Sequence, residues 1–128
     1  MKKYLVTFAL ITFIAACGGN AGNEKKGENT SASTGDITEN PDYKAGLDLI
    51  SKSDCLTCHK ISEKLVGPPY QDVANKYAGS DTAVAHLAKK IIEGGQGVWG
   101  QTPMVGHPAL SQADAEQMVK YILLLKTQ

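Results

Sequence analysis

The chain has 128 residues, and its 13 Lys and Arg balance its 13 Asp and Glu to a formal net charge of zero. No basic surplus marks a nucleic-acid footprint. A 42% apolar content leaves room for one small folded domain, and the three cysteines all find roles below without a disulfide.

In chain order, Met1 to Cys17 reads as an export leader: Lys2 and Lys3 begin it, an apolar run from Tyr4 to Ile14 follows, and small residues close it. The run falls short of the roughly 20 apolar residues that span a bilayer. Ile14-Ala15-Ala16-Cys17 resembles the lipobox of bacterial lipoproteins, where cleavage before the cysteine leaves it N-terminal and lipid-bearing. The other reading is an ordinary small-residue cleavage site that lies beside a cysteine. Residues 1–16 are therefore expected to be a lipoprotein signal peptide and Cys17 a lipid anchor, since two or more acyl chains give stable attachment. Removal of the two leader lysines leaves 11 basic side chains against 13 acidic, a mildly acidic mature chain at an extracytoplasmic, periplasm-type membrane face.

After Cys17 the composition turns to Gly, Asn, Ser, Thr, Glu and Lys as far as residue 40, too polar to order itself by burial. Residues 17–40 are expected to be the lipidated Cys17 and a flexible tether, residues 18–40, with a root-mean-square reach of about 25 to 30 Å. Residues 41–128 make one small domain whose core alone is marginal.

That domain reads as all-α. Asn40 before Pro41 is an N-cap followed by proline at the first helical position, with Tyr43, Leu47 and Ile50 at helical spacing up to about Lys52. Pro69 opens a second helix with Tyr70, Val73, Ala74 and Tyr77 on one face and Gly79 past its end. A third helix starts at Ser80 or Asp81, presents Val84, Leu87, Ala88 and Ile91, and stops at Gly94-Gly95. The last begins at Ser111, where Ser-x-x-Asp resembles a capping box, and carries Ala115, Met118, Val119, Ile122 and Leu125. No segment alternates with period two, so no sheet is expected.

Between the first two helices lies Cys55-Leu56-Thr57-Cys58-His59. Two thiols three residues apart, followed at once by an imidazole, form the pattern that attaches a c-type haem. Both sulfurs must reach one edge of a single porphyrin while the adjacent His59 ligates iron, and one helical turn supplies that geometry. A dithiol redox pair or half of a zinc site also uses Cys-x-x-Cys. The first wants a βαβ frame and the second another ligand pair, whereas His86 and His107 stand far apart and alone.

The segment from Gly94 to Leu110 holds five glycines, two prolines, Trp99 and Met104, and loops of this length are usually functional. A sixth iron position opposite His59 needs an occupant or stands open. Met1 leaves with the leader and Met118 lies on an apolar stripe, so Met104 is the leading candidate, its soft thioether suiting iron. His107, three residues on, and an open site are the rivals, while His86 faces solvent beside the apolar position Leu87.

Four motifs in order resemble the small monohaem class I cytochromes c of bacteria that donate electrons to terminal reductases and oxidases. These are the haem motif, Val66-Gly67-Pro68-Pro69-Tyr70, Gly95-Gln96-Gly97-Val98-Trp99-Gly100 and Pro103-Met104, and the resemblance covers about 85 residues. It implies a class I cytochrome c fold, four to five short helices wrapped around one covalently attached haem. It also implies that the Pro68 carbonyl accepts from His59 Nδ1, that Met104 Sδ binds iron, and that Trp99 Nε1 donates to a haem propionate. Lys90 falls where the subgroup often has a basic partner for that propionate. The subgroup often follows its methionine with prolines and an asparagine that bonds the sulfur, whereas this chain has Val105-Gly106-His107-Pro108.

The expected function is a single-electron shuttle rather than an enzyme, since two protein ligands on iron leave no place for substrate. Its partners would be redox proteins such as a quinol-oxidising complex and a terminal oxidase or reductase, met by a monomer held to the membrane through its lipid. Two other readings stand beside it: a permanent electron-transfer subunit of a larger membrane oxidoreductase, and a haem peroxidase or gas sensor with a labile sixth ligand.

Overall fold

The computed structural model describes residues 36–127, so the expected leader, the Cys17 anchor and most of the expected tether lie outside the described residues. The tether's last residues lie within them, and there Ile37–Glu39 form a 3-10 turn capped by the Asp36 carboxylate on the Thr38 amide at 3.0 Å.

Four helices follow: α1 (Pro41–Ser51), α2 (Tyr70–Tyr77), α3 (Ala83–Glu93) and α4 (Gln112–Leu124). Their ends obey local chemistry. The Asn40 side chain accepts from the Asp42 amide at 2.8 Å, satisfying one of the free donors of α1 beside Pro41. At α4 the Ser111 hydroxyl accepts from the Asp114 amide at 3.1 Å and donates to its carboxylate at 2.7 Å. The third helix starts at Ala83, two or three residues later than its pattern suggests, with Thr82 as its cap.

Helix α4 is the centre of the domain and packs against α1, α2 and α3. Its Met118, Val119 and Tyr121 are at most 1% exposed, and Ile50 of α1 is equally buried. Helices α1 and α4 approach closely because Gly46 has no side chain: a Cβ there would lie 2.6 Å from the Gln117 carbonyl oxygen and collide with Tyr121. The Gln117 side chain donates to the Asp42 carbonyl and carboxylate at 3.2 and 3.1 Å, and Tyr43 meets Tyr121 edge-on with centroids 5.0 Å apart.

The expectation of no sheet is corrected. Strands β1 (Gly95–Gly97) and β2 (Gly100–Met104) form an antiparallel hairpin, Gly95 facing Met104 and Gly97 facing Gly100, with an irregular register between. Positive φ angles at Gly97 (98°) and Gly100 (116°) turn the chain where other residues would be strained. The hairpin is tied to α3 at both ends. Gly94 closes α3 by donating to the Lys90 carbonyl at 2.9 Å, and the His107 amide donates to the Ile91 carbonyl at 2.9 Å.

Candidate haem-binding site

Asp54–Thr57 form a 3-10 turn with Cys58 at its end, and the amides of Cys58 and His59 both donate to the Cys55 carbonyl, at 3.2 and 3.0 Å. This turn presents the two sulfurs and the imidazole together. Cys55 and Cys58 share no disulfide. Burial pushes the Cys55 thiol above its ordinary pKa, and the neighbouring Asp54 carboxylate adds to the effect.

The chain then folds back on the turn. The Gly67 amide donates to the Cys58 carbonyl at 2.9 Å, which brings Pro68 under the His59 ring. His59 Nδ1 lies 2.8 Å from the Pro68 carbonyl oxygen; a carbonyl only accepts, so Nδ1 carries the proton and Nε2 is left as the free lone pair. Gly67 makes room for this, because a Cβ there would sit 2.8 Å from Nδ1 and 2.9 Å from Nε2. On another side Tyr70 stacks on the ring with centroids 5.3 Å apart and planes 13° from parallel. Burial drives the Tyr70 hydroxyl far above the usual phenol range.

Cys55, Cys58, His59, Pro68, Lys90, Trp99 and Met104 all line one cavity of about 340 Å³. Met104 reaches it from the end of β2, Trp99 from the hairpin turn and Lys90 from α3. Ile50, Val73, Ile91, Met118 and Ile122 supply an apolar wall, while Val66, Val98 and Val105 stand 50%, 54% and 77% exposed around it. A flat apolar group anchored at the thiols fits this lining: it covers exposed aliphatics and meets two thiols, an oriented imidazole and a thioether. Among the described residues no cluster of three or more His, Cys, Asp or Glu is placed to hold a metal ion.

Two arrangements went unseen in the sequence. Lys76 places its ammonium 5.5 Å from the centre of the Trp99 ring, 23 residues distant, and that ring is 39% exposed rather than a core aromatic. His107, the rival to Met104 as a ligand, also lines the cavity and has Nε2 at 2.8 Å from Asp54 Oδ1. His86 is exposed, lies against Tyr77 and is absent from the cavity lining.

A helical domain closed around a Cys-x-x-Cys-His turn defines a small class I c-type cytochrome. The chain belongs to the cytochrome c family, whose model matches residues 43–126. It is 46% identical over 82 residues to cytochrome c-552 of Nitrosomonas europaea, covering 64% of this chain and 80% of that one. With cytochrome c-551 of Pseudomonas aeruginosa it shares 45% identity over 78 residues, covering 61% and 74%. Among solved structures it is similar to wild-type Nitrosomonas europaea cytochrome c552, with a TM-score of 0.61 over 62% of this chain and 99% of that one. A class 1 cytochrome from Sideroxydans lithotrophicus ES-1 gives 0.55 at 25% identity, over 66% and 96%. As in that family, one covalent c-type haem is attached here through the Cys55-Leu56-Thr57-Cys58-His59 motif, and the chain is an electron-carrier type of cytochrome.

Proposed function

We propose that this protein is a membrane-anchored, extracytoplasmic single-electron carrier in which His59 and Met104 ligate the haem iron. The observation that carries the reading is the pairing of His59 Nδ1 with the Pro68 carbonyl, which reserves Nε2 for iron while Met104 lines the same cavity. The rival His107 lines the cavity too, but its Nε2 is engaged with Asp54 while the Met104 thioether has no such partner among the described residues, which supports Met104 as the sixth ligand. The bound haem supplies a one-electron Fe(III)/Fe(II) couple.

The chain's own residues do the rest. Pro68 fixes the imidazole and strengthens it as a donor. Met104 favours the ferrous state and raises the potential relative to a second histidine. Trp99 and Lys90 offer an indole N–H and an ammonium to the propionates. Leu56 and Cys58 are exposed, leaving the attachment turn open to a redox partner in a small, transient contact below about 1,200 Å². The partners proposed are a quinol-oxidising complex and a terminal oxidase or reductase.

Optical spectra and redox titration of the haem-loaded protein test the ligand pair. Ferric protein should be low-spin with the weak near-red charge-transfer band of an iron–thioether bond. Met104→Ala should abolish that band and admit cyanide quickly, and Met104→His should lower the potential within the roughly 0.8 V that axial ligands command. Rapid cyanide binding by unmutated protein would favour the enzyme or sensor reading. The lipobox resemblance supports anchoring through Cys17. Cys17→Ser should move the protein from membrane to soluble fractions with unchanged haem content, whereas continued membrane retention would refute the anchor.

A further inference from the structure

Asp54 and His107 are separated by 53 residues, yet His107 Nε2 donates to Asp54 Oδ1 at 2.8 Å. Asp54 opens the 3-10 turn that carries both thiols, and His107 lies three residues beyond Met104 on the segment leaving β2. The backbone of His107 is already fixed, its amide on Ile91 at 2.9 Å and its carbonyl accepting from Leu110 at 3.0 Å. The imidazole is thus a rigidly mounted arm. Among the described residues, its bond to Asp54 is the only side-chain hydrogen bond that joins the Met104 loop to the attachment turn.

The ring's other nitrogen, Nδ1, is buried and has no protein partner among the described residues, so the bond to Asp54 is the one that orients the imidazole. The imidazole is only 26% exposed, whereas the Asp54 side chain is 74% exposed. Solvent reaches the carboxylate, so the bond is a moderate restraint rather than a buried ion pair.

We propose that Asp54 and His107 are positioning residues that clamp the Met104 loop onto the haem-attachment turn and slow departure of the Met104 thioether from iron. The clamp rests on the reading of Met104 as a ligand. It belongs to this chain's own Asp before the first Cys and His after the methionine. Its effect is on opening: with the link cut, the loop is still held by Ile91 and the hairpin but leaves more often.

The test is stopped-flow binding of imidazole to the ferric, haem-loaded full-length protein, at concentrations where the rate is limited by Met104 leaving. Asp54→Ala and His107→Leu should each accelerate binding about fivefold, the scale of a partly exposed charged hydrogen bond. Asp54→Asn, which keeps an acceptor for Nε2–H, should stay within about twofold of the unmutated rate. The double variant should be no faster than either single one, because both remove the same interaction. Unchanged rates in the single variants, or multiplied rates in the double, would overturn the clamp, as would equal acceleration by Asp54→Asn and Asp54→Ala. The thioether band separates the two readings. A band present with unaltered kinetics sinks the clamp alone, and a band missing from the unmutated ferric protein sinks Met104 ligation and the clamp with it.

Discussion

Gly67 shows how one absent side chain decides the chemistry of another residue. The His59 ring occupies the space where a Cβ would project, and the same ring must keep Nδ1 at 2.8 Å from the Pro68 carbonyl. In Gly67→Ala the ring has to move, which costs about 1–3 kcal/mol of stability as overpacking and weakens the bond that makes the imidazole a strong donor. The expected result is a lower melting temperature and a raised potential. Gly79→Ala is the control, because Gly79 has φ +76° but no atom within 4 Å of an added Cβ. Its cost is backbone strain alone, and its potential should match that of the unmutated protein. A shift of equal size in both variants would refute the argument. At this scale the sequence was informative where motifs are local: Cys55, Cys58 and His59 sit in one turn, and Pro68 lies nine residues from His59. Asp54 with His107 and Lys76 with Trp99 carried no such signal, since nothing in a linear pattern announces a contact over 53 or 23 residues.

At the scale of elements, the four helices were legible because each repeats apolar residues at helical spacing between recognisable caps. Ser111 and Asn40 both cap as their residue types demand. The hairpin was not legible, and the reason is physical. Gly95–Gly97 and Gly100–Met104 contain Gly, Gln, Thr and Pro, are exposed almost throughout, and so show no alternation between a buried and an open face. What makes them pair is turn geometry at Gly97 and Gly100 rather than hydrophobic pattern. Gly100→Ala, which forces a side chain onto φ 116°, should therefore cost about 1–3 kcal/mol. For a domain of this size each kcal/mol lowers the melting temperature by roughly 4–8 °C. Calorimetry of the haem-loaded protein checks this, and an unaltered melting temperature would show that the hairpin is not coupled to the rest of the fold.

For the molecule as a whole, the core is apolar and contains tyrosines that resist ionisation. Burial raises the pKa of Tyr70 far above its ordinary 10.0 and also raises that of Tyr121. A phenol whose pKa is higher folded than unfolded holds its proton more tightly in the native state. Its contribution is complete below about pH 10 and is lost as pH climbs from there towards the folded value. Stability measured by guanidinium unfolding should accordingly be flat in this respect through neutral pH and fall above about 10. Tyr70→Phe should flatten the alkaline fall, and an identical slope in that variant would remove Tyr70 as its source.

The Gly46 crossing has a consequence for how far a distant substitution can reach. Helix α4 meets Gly46 through Gln117 and Tyr121 and also supplies Met118, Val119 and Ile122 to the cavity wall. A side chain at position 46 would press on α4, and a helix that yields there carries its three wall residues with it. The shape of the haem pocket is thus answerable to a residue that does not line it.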